Sequence, residues 1–391
     1  MAQDYTFPDL ARTVNELEET DILEIAIYGW GRQGLIPLWF GEGDVPTPAH
    51  ICEAAADSMR RGETFYTDQN GIEDLRLALV DYHRRAFEVA VAPERITITN
   101  SGMMALSLVI GMLLDPQDEV IVVGPVWPNI YSTIKVNDGV ARHATIRHTP
   151  DGWQLDLEEV FAAATDRTKA VFVNSPSNPT GWIMPEEDQA RLLEWARERD
   201  IWVIADEVYH SLTFGRDVSP SLLRHAEPDD KVLVVNSFSK SWLMTGWRLG
   251  WIVHPPALAP TLAKVIQIQT SGVPVFVQRA GIAALTGGDE VIEDLRARCL
   301  AGRDLVCDRL EKWPRVRFAR PQGAFYAFFS VDGVTDSLAL SKELVDRCNV
   351  GLAPGSAFGP GGQGFLRLCY ASTPEKLDRA MNALATVLGD A

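Results

Sequence analysis

Cysteine is sparse in this chain, and the five present (Cys52, Cys299, Cys307, Cys348 and Cys369) form no C-x-x-C pair. Their number is odd and no N-x-S/T acceptor occurs, so a disulfide framework is not expected and the usage suits a reducing cytoplasm. Histidine is also scarce; the seven residues show no H-E-x-x-H or other ligand spacing, which argues against a catalytic metal. Positive charge is in deficit, with 36 Lys and Arg against 53 Asp and Glu, a net charge of −17. With no basic run either, the chain is not built to grasp phosphate backbones, and no nucleic-acid partner is expected. Long apolar runs are missing too. The stretch Met103 to Leu114, broken by Ser107, is too short to span a bilayer and reads as a buried helix. Residues 1–20 carry acids and no apolar core, unlike a signal peptide, so no membrane association is expected.

What is present is ordinary globular composition, 46% hydrophobic and 23% charged, over 391 residues, enough for two or three domains. From about residue 95 to 255, β-rich runs alternate with helical patterns. The strand candidates are Ile96–Thr99, Glu119–Val123, Ala141–Ile146, Lys169–Asn174, Ile201–Asp206, Val232–Asn236 and Leu249–Val253. Several are almost wholly apolar, as strands covered on both faces should be. The alternation predicts an α/β fold with a mostly parallel seven-stranded sheet flanked by helices. Beyond residue 290 the pattern changes to a long helix (Val291–Leu310), strand-like runs at Val316–Phe318, Ala324–Phe329 and Phe365–Tyr370, and helices at Ser337–Cys348 and the C-terminus. We therefore expect a large domain over 46–285 and a smaller α+β domain over 1–45 and 286–391.

Two motif matches are decoys. Gly29-Trp-Gly31-Arg-Gln-Gly34 fits G-x-G-x-x-G, but a strand-like segment containing Pro37 follows where a dinucleotide site needs a helix. Ser237-Phe-Ser-Lys240 fits S-x-x-K without the accompanying S-D-N or K-T-G. More informative are the loops just past the predicted strands, where ligands sit in open α/β sheets. They carry Ser101-Gly102, Pro125-Val-Trp127, Asn174-Ser-Pro-Ser-Asn178-Pro-Thr-Gly181, Asp206-Glu-Val-Tyr209 and Ser237-Phe-Ser239-Lys240. Each alone has a bland reading as turn chemistry, a helix cap or a surface lysine. Yet the chain has eight lysines in all, and five such loops converge. Pyridoxal phosphate (PLP) chemistry asks for these types together: a lysine amine, a carboxylate for the pyridine nitrogen, donors for a phosphate and an aromatic face.

The motifs Asn178-Pro-Thr-Gly181, Asp206-Glu-Val-Tyr209, Ser237-Phe-Ser-Lys240, Thr245-Gly-Trp-Arg248-Leu-Gly-Trp251 and Pro354-Gly-Ser-Ala-Phe-Gly359 stand in the order seen in class I/II aminotransferases. The chain resembles that family of fold type I PLP enzymes, and its gamma subgroup in particular, from about residue 38 to the end. Gly41-Glu-Gly-Asp44-Val-Pro-Thr-Pro48 is similar to the family's G-E-P-D-F-x-T-P, with Gly43 replacing a proline. Tyr66-Thr-Asp-Gln-Asn-Gly71 with Leu75-Arg76 resembles its Y-x-x-x-x-G-x-x-x-L-R.

The resemblance implies roles residue by residue. Lys240 matches the Schiff-base lysine, which then serves as the base at the substrate Cα. Asp206 matches the carboxylate facing the pyridine nitrogen, Asn178 and Tyr209 the partners of the phenolic oxygen, and Trp127 the aromatic stacked on the ring. Ser101, Gly102, Met103, Ser237, Ser239 and Arg248 match positions at or beside the phosphate cup. Arg367 matches the arginine that grips the substrate carboxylate, and Gly41 lines the same pocket with Asn178 and Trp127. Tyr66 matches a tyrosine donated to the neighbouring subunit, implying a homodimer with shared active sites. The implied reaction is ping-pong exchange of an amino group between an L-amino acid and a 2-oxo acid, in the cytoplasm. Rivals are β-elimination from a cysteine conjugate at the same site, aspartate transamination, and a non-catalytic PLP sensor. Aspartate-using members read T-x-G-G-K-Q-A-L after the first strand; aligned on Ala105-Leu106, Met103 stands where their lysine would. With Tyr28 and Trp30 expected to add apolar surface, this predicts a neutral, mostly apolar amino acid, with pyruvate or 2-oxoglutarate as acceptor.

Overall fold

The computed structural model describes residues 10–389. The first nine and last two residues, which the sequence reading assigns to the small domain, lie outside the described residues. Seven strands form the central sheet: β1 (Ile96–Thr99), β2 (Glu119–Gly124), β3 (Val140–Thr145), β4 (Thr168–Asn174), β5 (Trp202–Asp206), β6 (Val232–Ser237) and β7 (Gly250–Val253). Their order is β1-β7-β6-β5-β4-β2-β3; β7 runs antiparallel to both its neighbours and the other pairings are parallel. All seven expected strands are present within a residue or two, in the expected fold class. The runs EVIVVG and VLVVNS are buried along their whole length, because helices cover both faces.

A second, antiparallel sheet comprises β8 (Val316–Phe318), β9 (Tyr326–Val331), β10 (Ala353–Pro354) and β11 (Phe365–Cys369), in the order β8-β9-β11-β10. Its core joins Leu344, Leu366, Leu377 and Leu384. The N-terminal segment returns to this region: Ile36–Pro37 pairs in parallel with Val350–Gly351. The helix Asp21–Gly29 is tied to the helix Ser337–Cys348 by Lys342–Glu24 and by Tyr28, whose hydroxyl donates to Asp346 at 2.8 Å. One hairpin, Arg147–Thr149 with Gly152–Gln154, is not foreshadowed by the sequence pattern. Among the described residues no helix is long and apolar enough to cross a membrane.

The polar loops all leave the same edge of the central sheet. β1 runs into Ser101, whose hydroxyl caps the helix Gly102–Leu113 by accepting from the Met104 N–H at 3.1 Å. β4 ends at Asn174, β5 at Asp206, and β6 at Ser237, which caps the short helix Phe238–Ser241. β9 and β11 bring Tyr326 and Arg367 to face these loops.

Candidate active site

These ends enclose a cavity of about 240 Å³. Gly102, Met103, Trp127, Asn178, Asp206, Tyr209, Ser237, Ser239, Lys240 and Arg248 line it from the central sheet, and Gly41 and Arg367 from the other side. Twelve of the fourteen residues singled out in the sequence therefore meet in one place. The exceptions are Ser101 and Tyr66. Ser101 is buried just behind the cavity as a helix cap. Tyr66 is 91% exposed and lies beside Phe65 and Gly272 in a separate surface depression.

Lys240 and Asp206 are two titratable groups of the cavity lining. Lys240 Nζ donates to the Gly41 carbonyl at 2.7 Å and sits 5.8 Å from the ring centres of Tyr209 and Phe325. Burial lowers its pKa to about 8, against the opposing pull of Cys369 and Glu42; Arg367 and Arg248 lower it further. Asp206 accepts a hydrogen bond from the Val208 N–H at 3.3 Å. Burial raises its pKa to about 7, with the Val208 bond and Lys240 opposing. A carboxylate so placed lacks a close cationic partner, and a protonated ring nitrogen is the kind of group that would supply one.

Arg367 is 2% exposed. Its Nη1 donates to Asn178 Oδ1 at 2.9 Å and its Nη2 to the Trp39 carbonyl, while its guanidinium carbon lies 4.6 and 4.8 Å from the ring centres of Tyr326 and Phe358. Nε has no partner, and among the described residues no carboxylate pairs with this arginine. A buried guanidinium without an acid awaits an anion brought from outside. Asn178 is itself fixed: its N–H donates to Asn174 Oδ1 at 2.8 Å, and its carbonyl accepts from the Trp127 N–H at 2.9 Å.

The remaining donors cluster at the start of the helix Gly102–Leu113. The Ser239 N–H donates to Ser237 Oγ at 3.1 Å, and the two hydroxyls are 2.8 Å apart. Arg248, in the left-handed region at φ 55°, donates to the Thr245 carbonyl at 2.6 Å and keeps an exposed head. Backbone N–H groups, hydroxyls and an arginine around a helix N-terminus form a site for a phosphate. The approach is close: a Cβ at Gly102 would stand 3.3 Å from Ser237 Cβ and from Val208 Cγ1.

Several lining residues escaped the sequence reading. Tyr326 falls within the strand-like run Ala324–Phe329 without being singled out, yet its hydroxyl lies 2.7 Å from that of Tyr209. A Cβ at position 41 would collide with the Tyr326 hydroxyl oxygen, which accounts for Gly41. Ile22 and Phe40 supply the apolar wall from the N-terminal segment. Tyr28 and Trp30, expected there, do not line it. Helical spacing turns Ile22, Ile25 and Ala26 inward, Tyr28 engages Asp346, and Trp30 follows the last helical residue and is 83% exposed. Asn174 stands at the end of a predicted strand, in one of the polar loops, without a role given to it there, and for Phe40 the only available signal was adjacency to Gly41.

Residues 35–384 match the aminotransferase class I and II family. The chain is 34% identical to the aspartate aminotransferase of Thermotoga maritima over 357 residues, 91% of this chain and 92% of that one. It is 35% identical over 353 residues to the arginine–pyruvate transaminase of Pseudomonas aeruginosa, covering 90% and 89% of the two. The solved structure of the Thermus thermophilus aspartate aminotransferase with maleate superposes with a TM-score of 0.90 at 33% identity, over 97% of this chain and 99% of that one.

Proposed function

The chain belongs to the class I and II aminotransferases and is a transaminase; on that premise we propose that PLP occupies the cavity, with a neutral, mostly apolar L-amino acid as donor and a 2-oxo acid as acceptor. The observation that carries the reading is the meeting, in one cavity, of the Lys240 amine, an Asp206 carboxyl without a salt-bridge partner and an Arg367 without an acid. Together with the donors at the helix start, these groups suit PLP in size and chemistry.

Lys240 would hold the cofactor, Asp206 face its ring nitrogen, Asn178 and Tyr209 its phenolic oxygen, and Trp127 its ring. Gly102, Met103, Ser237, Ser239 and Arg248 would hold its phosphate, with Ser101 ordering the helix start behind them. When bound, PLP supplies the electron sink that makes an amino acid's Cα proton removable. Lys240, with its proton affinity reduced by burial, is suited to accept that proton. Arg367, clamped by Asn178 and the Trp39 carbonyl, presents a planar fork to the substrate α-carboxylate and so sets the orientation of Cα. Ile22, Phe40 and Met103 present apolar surface, with no cation at position 103 to hold a distal carboxylate; this favours an apolar side chain.

We further propose that residues 46–285 form the large domain and 1–45 with 286–391 the small one, supported by the Ile36–Val350 strand pairing. A cytoplasmic homodimer, sharing Tyr66 across the subunit boundary, is supported by the exposure of Phe65 and Tyr66 and by five unpaired cysteines. The test is a single half-reaction. PLP-loaded enzyme given one amino acid and no acceptor should release one 2-oxo acid per site and no ammonia, with methionine and leucine outpacing alanine and aspartate. Continuous ammonia release would mark an eliminating enzyme instead.

A further inference from the structure

A buried polar chain adjoins the Asp206–Tyr209 turn and takes no part in the chemistry above. His210 is fully buried, and so nearly is Tyr82, on the helix Glu73–Phe87. His210 Nδ1 lies 3.0 Å from the Glu207 carbonyl oxygen, and Nε2 lies 2.6 Å from the Tyr82 hydroxyl. A carbonyl only accepts, so Nδ1 carries the proton; Nε2 is then bare and accepts from Tyr82. The His210 backbone N–H donates to the same Glu207 carbonyl at 2.9 Å. One residue thus places two donors on one carbonyl and closes the turn that carries Asp206 and Tyr209.

The rings around it are packed tightly: Tyr82 meets Trp242 at 5.4 Å and Trp251 at 6.4 Å, and His210 meets Phe87 at 5.2 Å. The same turn is joined to the lysine segment, since Ser211 Oγ donates to Ser241 Oγ at 2.6 Å. Burial lowers the pKa of His210 to about 4, so it stays neutral at physiological pH and keeps this single tautomer.

We propose that His210, locked by Tyr82, is a positioning residue that holds the Asp206–Tyr209 turn in the register the cofactor requires. The proposal rests on the assignment of Asp206 and Tyr209 to PLP. Loss of the Tyr82 hydroxyl would remove the 2.6 Å partner of Nε2, leaving the buried Asn236 amide as the other side chain acting on the ring, and loss of the imidazole would remove one of the two clamps on Glu207.

Three variants test it. Tyr82→Phe keeps the ring and removes the donor. His210→Phe removes both bonds, and His210→Asn restores a donor toward the Glu207 carbonyl. The readouts are the pH midpoint of the visible absorption of the PLP-loaded enzyme, the PLP dissociation constant, kcat against KM, and the melting temperature of the cofactor-free form. His210→Phe should move the midpoint by about half a unit or more and weaken PLP binding roughly fivefold. It should also lower kcat about tenfold with KM nearly unchanged. Tyr82→Phe should shift the midpoint the same way but less, and His210→Asn should return it most of the way. If the first two variants change only the melting temperature, the cluster is packing and the proposal is overturned. Should His210→Phe fail to fold, an unmoved midpoint in Tyr82→Phe suffices to reject it. Asp206→Ala is the reference: if it too leaves the midpoint unmoved, the Asp206 assignment falls and this inference with it.

Discussion

Replacing Asp206 by asparagine should stabilise the cofactor-free protein while disabling it. Burial raises this carboxyl from its ordinary 3.8 to about 7. The folded state therefore binds a proton more tightly than the unfolded chain does, and stability from this group falls as pH rises from about 4 through 7. Above pH 7 the full difference applies: about three pKa units at 1.36 kcal/mol each, or up to roughly 4 kcal/mol of destabilisation. Asparagine is isosteric and carries no charge to bury. Cofactor-free Asp206→Asn should accordingly melt above the cofactor-free wild type at pH 8, and the gap should close toward pH 4. Adding PLP should narrow or reverse the order at pH 8, because the protonated ring nitrogen compensates the carboxylate in the wild type alone. Turnover should fall at least about a hundredfold, as when a preorganised charge is lost. Scanning calorimetry of both forms at several pH values is the assay. A cofactor-free variant no more stable than wild type at pH 8 would refute the argument that Asp206 stands ionised without compensation.

The other expectations are simpler. Lys240→Ala should still bind PLP through the phosphate and ring contacts, but borohydride should trap no cofactor on the protein and turnover should nearly vanish; trapping on another lysine in the wild type would refute the assignment. Met103→Lys should raise kcat/KM for aspartate relative to leucine by about tenfold or more, since a partly buried ion pair contributes on the order of 1–3 kcal/mol; unchanged relative rates would remove Met103 from the side-chain pocket. If Tyr66 serves the neighbouring subunit, sedimentation should show a dimer, and mixed dimers of Lys240→Ala with Tyr66→Phe should recover activity out of proportion to either parent. A fully active monomer would end that idea.

Much of this was visible in the chain itself, for definite physical reasons. Strands such as Val232–Ser237 are covered on both faces and must be apolar throughout, so they stand out as runs, and the polar loop after each marks the ligand edge. The antiparallel direction of Gly250–Val253 was not legible, because an apolar run carries no direction. Tyr326 was not either: in a strand it alternates with core residues, and only the approach of a second sheet sets its hydroxyl against Tyr209. Trp30 misled because a large aromatic near a motif draws notice, whereas its facing depends on where the helix Asp21–Gly29 ends.

The polar contacts in the cavity join parts of the chain that are remote in sequence. Lys240 reaches back 199 residues to Gly41, and Arg367 reaches back 189 to Asn178. During synthesis the strand bearing Arg367 leaves the ribosome well after the strands that present Lys240 and Asp206. The two halves of the cavity thus mature at different times, and closing loops of that length is slow. Affinity for a phosphate-bearing ring and affinity for a carboxylate should consequently arise in sequence on the growing polypeptide.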